Sequence, residues 1–145
     1  MPVPDVRMLA VMAVGGALGS AARYELGLLW FQPAGRLPWT TLLINLLGAL
    51  LLGMLLVAVT ELWRPHRLIR PLLGTGVLGG FTTFSTFALQ LRLLPGPVAI
   101  GYLLLSVFGG LIAAAAGMAL VRLAAPGLVA AARLDRLDRV KPELP

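Results

Sequence analysis

The sequence has no cysteine, one histidine and only six acidic residues among 145. Without cysteine it can form neither disulfides nor thiolate metal sites. The lone His66 sits in an Arg64-Pro65-His66-Arg67 turn, the setting of a solvated loop histidine rather than a ligand. No Ser/His/Asp set, no carboxylate pair within a hydrophobic interval and no glycine-rich loop closed by lysine is present, so no catalytic constellation emerges. Gly15-Gly16-Ala17-Leu18-Gly19 is glycine-rich but opens no strand–helix unit, so it does not read as a dinucleotide loop. Charge is scarce at 12% of residues, where soluble domains carry about a quarter.

What fills the chain instead is apolar: 59% of residues, with mean hydropathy +0.91. Charge-free intervals run over 8–22, 37–60, 71–91 and 93–121. A bilayer core needs about 20 apolar residues in a helix. The last three intervals clear that length, and the first does so only if Arg23 lies within the membrane. The reading is an all-α membrane protein of four transmembrane helices, at about 6–31, 39–63, 68–91 and 98–123. Together they make one domain over 1–125, followed by a basic tail over 126–145. The stretch Met8–Gly19 after Arg7 also has the character of a secretory signal, but apolar residues resume from Leu26 through Phe31.

With four spans, the N-terminus, the 64–70 loop and the tail share one side and hold nine of the 12 Lys/Arg. The positive-inside rule then places both termini in the cytoplasm. Five of those nine come at or after Arg122, so most of the bias arrives after three spans have been made. A net charge of +6 on such a chain suits anionic lipid headgroups rather than nucleic acid.

Polar residues inside the spans are few. Gly15 and Gly19 form a small-residue face on helix 1, and Arg23 follows eight residues after Gly15 on nearly the same face. Arg23 either snorkels to an interface or supplies an anion-attracting charge in a vestibule; the second is adopted here. In helix 2, Thr41 and Asn45 share a face that Gly48 continues. An amide in hydrocarbon needs partners. Asn45 either joins helices by a hydrogen bond worth about 1 kcal/mol or lines a polar path, and helix 2 alone leaves both open. Helix 4 places Tyr102, Ser106 and Gly110 at four-residue spacing, beside a strip of Gly109, Ala113 and Gly117.

The stretch from Gly79 to Phe87 (GGFTTFSTF) is the anomaly. Each glycine lowers helix stability by roughly 1 kcal/mol relative to alanine. Thr82, Thr83 and Thr86 are β-branched and compete for backbone hydrogen bonds. Within a membrane such a run is tolerated only where freed backbone groups meet protein, water or an ion. Helix 3 is therefore expected to be broken near its middle, at the working centre of a small ion channel. The available donors are neutral apart from one arginine: Thr41, Asn45, Thr82, Thr83, Ser85, Thr86, Tyr102 and Ser106. They suit a small, strongly hydrated anion, and phenylalanine edges, which carry partial positive charge, can add to them. For Phe84 and Phe87, packing or lipid contact is the plainer role on these grounds alone.

The 79–87 stretch resembles the signature of the Fluc/CrcB fluoride channels, as do the run from Gly15 to Tyr24 (GGALGSAARY) and that from Thr41 to Gly48 (TLLINLLG). The resemblance covers all four helices in order. It implies a dual-topology homodimer of antiparallel subunits in the cell (inner or plasma) membrane, with two pores along the subunit interface. It also implies a structural Na+ on the dimer axis, held by backbone carbonyls of Gly79 and Thr82. Phe84 and Phe87 are then the rings that contact fluoride, with Asn45 a pore donor, Thr41 nearby and Arg23 at the vestibule. Ser85, Thr86, Tyr102 and Ser106 complete a hydroxyl track. Gly110 stands where many members have a further hydroxyl, and Glu25 is an unexpected acid. The function implied is passive, selective export of fluoride, without enzymatic activity. The alternatives are a proton-coupled small-cation exporter of the dual-topology four-helix type, with Glu25 as its only helix 1 carboxylate, and a non-transporting membrane scaffold.

Overall fold

The computed structural model describes residues 5–29, 36–62 and 65–131. Helix α1 spans Val6–Leu29. It is capped by Asp5, whose Oδ1 accepts from Arg7 N at 3.0 Å, satisfying a first-turn N–H. α2 runs over Trp39–Val57 and continues through a π-helical turn, Ala58–Leu62. α3 is wound as a π-helix over Pro71–Leu78 and finishes as an α-turn at Gly79–Phe81. α4 covers Phe84–Leu93 and α5 Gly96–Ala124. Pro95 and Pro97 flank the first residue of α5, where a missing N–H costs the helix nothing. The winding of α3 as a π-helix has no counterpart in residue propensities.

Taken as spans, α1, α2 with its π-turn, α3 with α4, and α5 are four helices long and apolar enough to cross a membrane. The chain is a multi-pass membrane protein. Little of its surface is buried: Leu18, Phe108, Leu111 and Ile112 all face outward, as side chains in contact with lipid or another subunit must. The last two residues expected of helix 1, Trp63 at the end of helix 2 and the basic tail beyond residue 131 lie outside the described residues.

The helices pair as α1 with α3 and α2 with α5. Both pairings put backbone against backbone. A methyl on Gly15 would stand 2.6 Å from the Leu72 carbonyl oxygen, and one on Gly19 would be 2.8 Å from Phe81 N. Gly53 and Gly117 do the same for α2 and α5, facing the backbone of Ala114 and Leu50. Small residues are the means by which helices gain van der Waals contact where no hydrophobic force separates helix from lipid. At one end, Arg67 pairs with Asp5 at 3.1 Å and Arg122 with Glu61 at 2.5 Å. These pairs tie the start of α1 to the loop before α3, and the end of α2 to the end of α5, as expected for four successive crossings. His66 is exposed in that loop, and its Nδ1 accepts from Leu68 N at 3.4 Å.

Candidate functional site: the broken helix and its cavity

The break falls at Thr82 and Thr83. Both are extended, with φ −78°, ψ 162° and φ −144°, ψ 120° respectively. Thr82 closes α3 by directing both its N–H and its hydroxyl to the Leu78 carbonyl, each at 3.0 Å. Thr83 opens α4 as its N-cap: its Oγ1 accepts from Thr86 N at 3.2 Å and donates to Thr86 Oγ1 at 2.9 Å. Hydroxyl residues compete with the helix ladder, and here two successive threonines do so in opposite directions.

Two neighbouring helices bond three of the backbone groups at the break. From α2, Asn45 Nδ2 donates to the Thr83 carbonyl at 3.0 Å, and Asn45 Oδ1 accepts from Thr83 N at 2.9 Å. From α1, Arg23 Nε and Ser20 Oγ both donate to the Gly80 carbonyl, at 3.2 and 3.3 Å. Gly48 lets α2 lie against the break, since a methyl there would collide with the Thr82 side chain. A continuous helix would send Thr83 N–H to the Gly79 carbonyl and Thr86 N–H to the Thr82 carbonyl. Both donors are instead turned to side-chain oxygens. Gly79 and Thr82, the two residues expected to offer carbonyls to a cation, thus each lose a ladder donor to a side-chain oxygen.

Beside the break lies a cavity of about 440 Å³ whose wall includes Asn45, Gly79, Thr82, Phe84, Phe87 and Ser106. Thus six of the eleven site residues expected from sequence meet in one place. Ser106 is notable there, because its buried hydroxyl has no hydrogen-bond partner among the described residues. Gly110, a turn further along α5, also lines the cavity, and a methyl on it would meet nothing within 4 Å. Among the described residues, no carboxylate lines this space. Glu25 is exposed on α1 and takes no part in it.

The other five expected residues sit around the cavity rather than in it. Phe87 is 9% exposed and packs on Tyr102, ring centroids 5.1 Å apart, while Phe84 is 79% exposed and lies 5.9 Å from Phe87. Tyr102 is wholly buried, and its phenol donates to Gln90 Oε1 at 3.0 Å. The buried Thr41 adjoins the same phenol. Thr41, Tyr102 and Gln90 thus form a polar node behind Phe87. Ser85 is exposed, with its Oγ 3.4 Å from Thr83 Oγ1, and Thr86 is bonded within the cap. Arg23 stands on the α1 side of the break.

Two participants, Ser20 and Gln90, are not among the expected site residues, and a third, Thr83, takes an unexpected part. Ser20 was legible as the hydroxyl one position after Gly19 and three before Arg23, on the same helix face. Gln90 is the one carboxamide of α4, three residues after Phe87. Thr83 was counted as a donor, but nothing local showed that its own peptide would be the group held.

Residues 10–118 match the family described as CrcB-like protein, Camphor Resistance (CrcB). The chain is 44% identical over 137 residues to the fluoride-specific ion channel FluC 2 of Nocardia farcinica, an alignment covering 92% of this chain and 95% of that one. It is 42% identical over 131 residues to the fluoride-specific ion channel FluC of Hahella chejuensis, covering 85% and 98%. With FluC 2 of Streptomyces avermitilis the identity is 49% over 85 residues, which is 59% of this chain and only 54% of that protein's length.

Proposed function

The chain belongs to the CrcB-like protein family, and from that premise we propose that it is a fluoride-selective passive channel exporting cytoplasmic fluoride. Its relatives are named as ion channels, so it is not an enzyme. The observation that carries the proposal is the cavity wall: among the described residues it has neutral donors, an unpartnered buried hydroxyl at Ser106 and two phenylalanines, with no carboxylate. A small anion leaving water must have its hydration replaced. Hydroxyl and amide groups do this without the tight hold of a fixed opposite charge, which would slow release. Ring edges add partial positive charge with no polar atom of their own.

The physiological logic is acid–base chemistry. Hydrogen fluoride crosses membranes as the neutral molecule and dissociates in a less acidic cytoplasm. A passive path lets the trapped ion leave, driven by an interior-negative potential of about 2.3 kcal/mol per 100 mV.

In the working form two copies insert antiparallel as a homodimer in the cell membrane, with two pores along their interface. The exposed Phe84 fits this arrangement, since a ring left 79% exposed by its own chain is free to line a surface shared with a second copy. A structural Na+ fits the donor set at the break. The carbonyls of Gly79 and Thr82 are hard, neutral oxygens deprived of their ladder donors, and unwound carbonyls of this kind coordinate Na+ in transporters. Bound there, the ion supplies a fixed positive charge at the dimer axis. A twofold interface delivers each carbonyl twice.

Reconstituted protein is expected to release fluoride from liposomes and to retain chloride. Equal release of both ions, or of neither, would overturn the reading. Ser106→Ala sharpens the test. Its hydroxyl has no partner among the described residues, so removing it should leave stability unchanged or raise it by about 1 kcal/mol. Fluoride flux should fall several-fold. A variant that lost stability at unchanged flux would show a structural hydroxyl instead.

A further inference from the structure

Both severed ends of the break are held by side chains of the same polypeptide. Asn45 meets the N–H and the C=O of a single residue, Thr83, at 2.9 and 3.0 Å. A carboxamide so placed replaces the ladder bond that the Thr83 N–H gives up and adds a second bond to its carbonyl, so that both polar groups of the peptide are held. On the α1 side, Ser20 and Arg23 share the Gly80 carbonyl. Arg23 thereby sets a cation at the C-terminal end of α3, where the helix dipole is negative.

We propose that Asn45 is the positioning residue of the break, with Arg23 and Ser20 as its counterpart across it, so that one chain builds the break without a second copy or a cation. Asn45 acts through Thr83. By taking the Thr83 N–H it frees the Gly79 carbonyl, and by fixing the Thr83 peptide it sets the residue that caps α4 and precedes Phe84. The bearing of this on conduction rests on the fluoride-channel reading; its bearing on the backbone does not.

Amide hydrogen exchange at Thr83, followed by NMR on the full chain in lipid nanodiscs with and without sodium, tests the inference. In the wild type the Thr83 amide should be protected in both buffers. Asn45→Ala should speed its exchange about tenfold, while amides in the middle of α5 are unchanged. Asn45→Asp keeps an acceptor for the Thr83 N–H and loses only the donor to its carbonyl, so Thr83 should stay within about threefold of wild type. A residue that merely filled space between helices would not separate these two variants. If Asn45→Ala does not fold, Asn45→Gln, whose extra methylene displaces the amide, takes its place in the comparison. Unchanged Thr83 exchange in Asn45→Ala, equal acceleration in both variants, or wild-type protection that requires sodium would each overturn the inference. Fluoride release measured on the same samples keeps the two readings apart: a protected Thr83 in a protein that releases no fluoride defeats the channel and leaves the clamp.

Discussion

Replacing Phe84 with isoleucine is expected to stop fluoride release from liposomes while leaving the protein folded. The separation of the two effects follows from where the ring sits. Phe84 is 79% exposed and its one aromatic neighbour among the described residues is Phe87, at 5.9 Å with the rings tilted by 46°. Losing that pair costs about 0.5–1.5 kcal/mol, and no core void opens. Isoleucine keeps the apolar bulk but has no ring edge to offer an anion. Each ~1.4 kcal/mol that the edge contributes to passage of the anion is a factor of ten, so losing about 3 kcal/mol cuts release more than a hundredfold, to the baseline of the measurement. Phe87→Ile should abolish release too, but at a visible cost in stability of about 1–3 kcal/mol. The Phe87 ring is buried against Tyr102 and Leu42, and a β-branched side chain cannot fill its place. Fluoride-electrode recordings of liposome efflux, paired with thermal melts of both variants, decide the matter. Wild-type efflux in both variants would remove the rings from the path, and equal destabilisation would contradict their different burial.

The second large effect is expected at Gly80. A methyl added there would stand 2.9 Å from Gly16 Cα and overlap the Gly16 carbonyl. Both obstacles are backbone, which cannot rotate aside as a side chain can. The gain of roughly 1 kcal/mol in helix propensity from alanine is therefore outweighed by overpacking of about 1–3 kcal/mol and by displacement of Arg23 from the Gly80 carbonyl. Gly80→Ala should lower the melting temperature and the folded yield. Gly16→Ala is the control from the facing helix, because a methyl on Gly16 meets nothing within 4 Å. It should be neutral or slightly stabilising. If the two variants melt alike, α1 and α3 do not approach as described.

Much of the architecture was legible beforehand, for a physical reason. Hydropathy and helix propensity are local quantities, summed along the chain. They located four crossings and marked 79–87 as a run that a helix could not hold comfortably. The break was expected near the middle of helix 3, and the two threonines where it falls lie within that run. The Gly15 and Gly19 face was legible because spacing alone decides which residues share a helix side. The candidate cavity was half legible. Asn45, Phe84, Phe87 and Ser106 were all singled out, yet nothing local distinguished the exposed ring from the buried one. Nor could helix 2 alone choose between the two roles of Asn45. In the fold it bonds Thr83 on the facing helix and also borders the cavity.

By itself, then, the sequence determined the membrane-spanning class, the count of spans, the weak point in the third and the neutral chemistry available around it. Only the tertiary structure decided what holds that weak point open. The bonds from Asn45 to Thr83 and from Arg23 to Gly80 join residues 38 and 57 positions apart, and no periodicity within one helix encodes a partner on another. The same holds for the glycines. Gly16 and Gly80 cost a helix equally, but a methyl is excluded at Gly80 and free at Gly16. That difference belongs to the facing backbone, which exists only once the helices have packed.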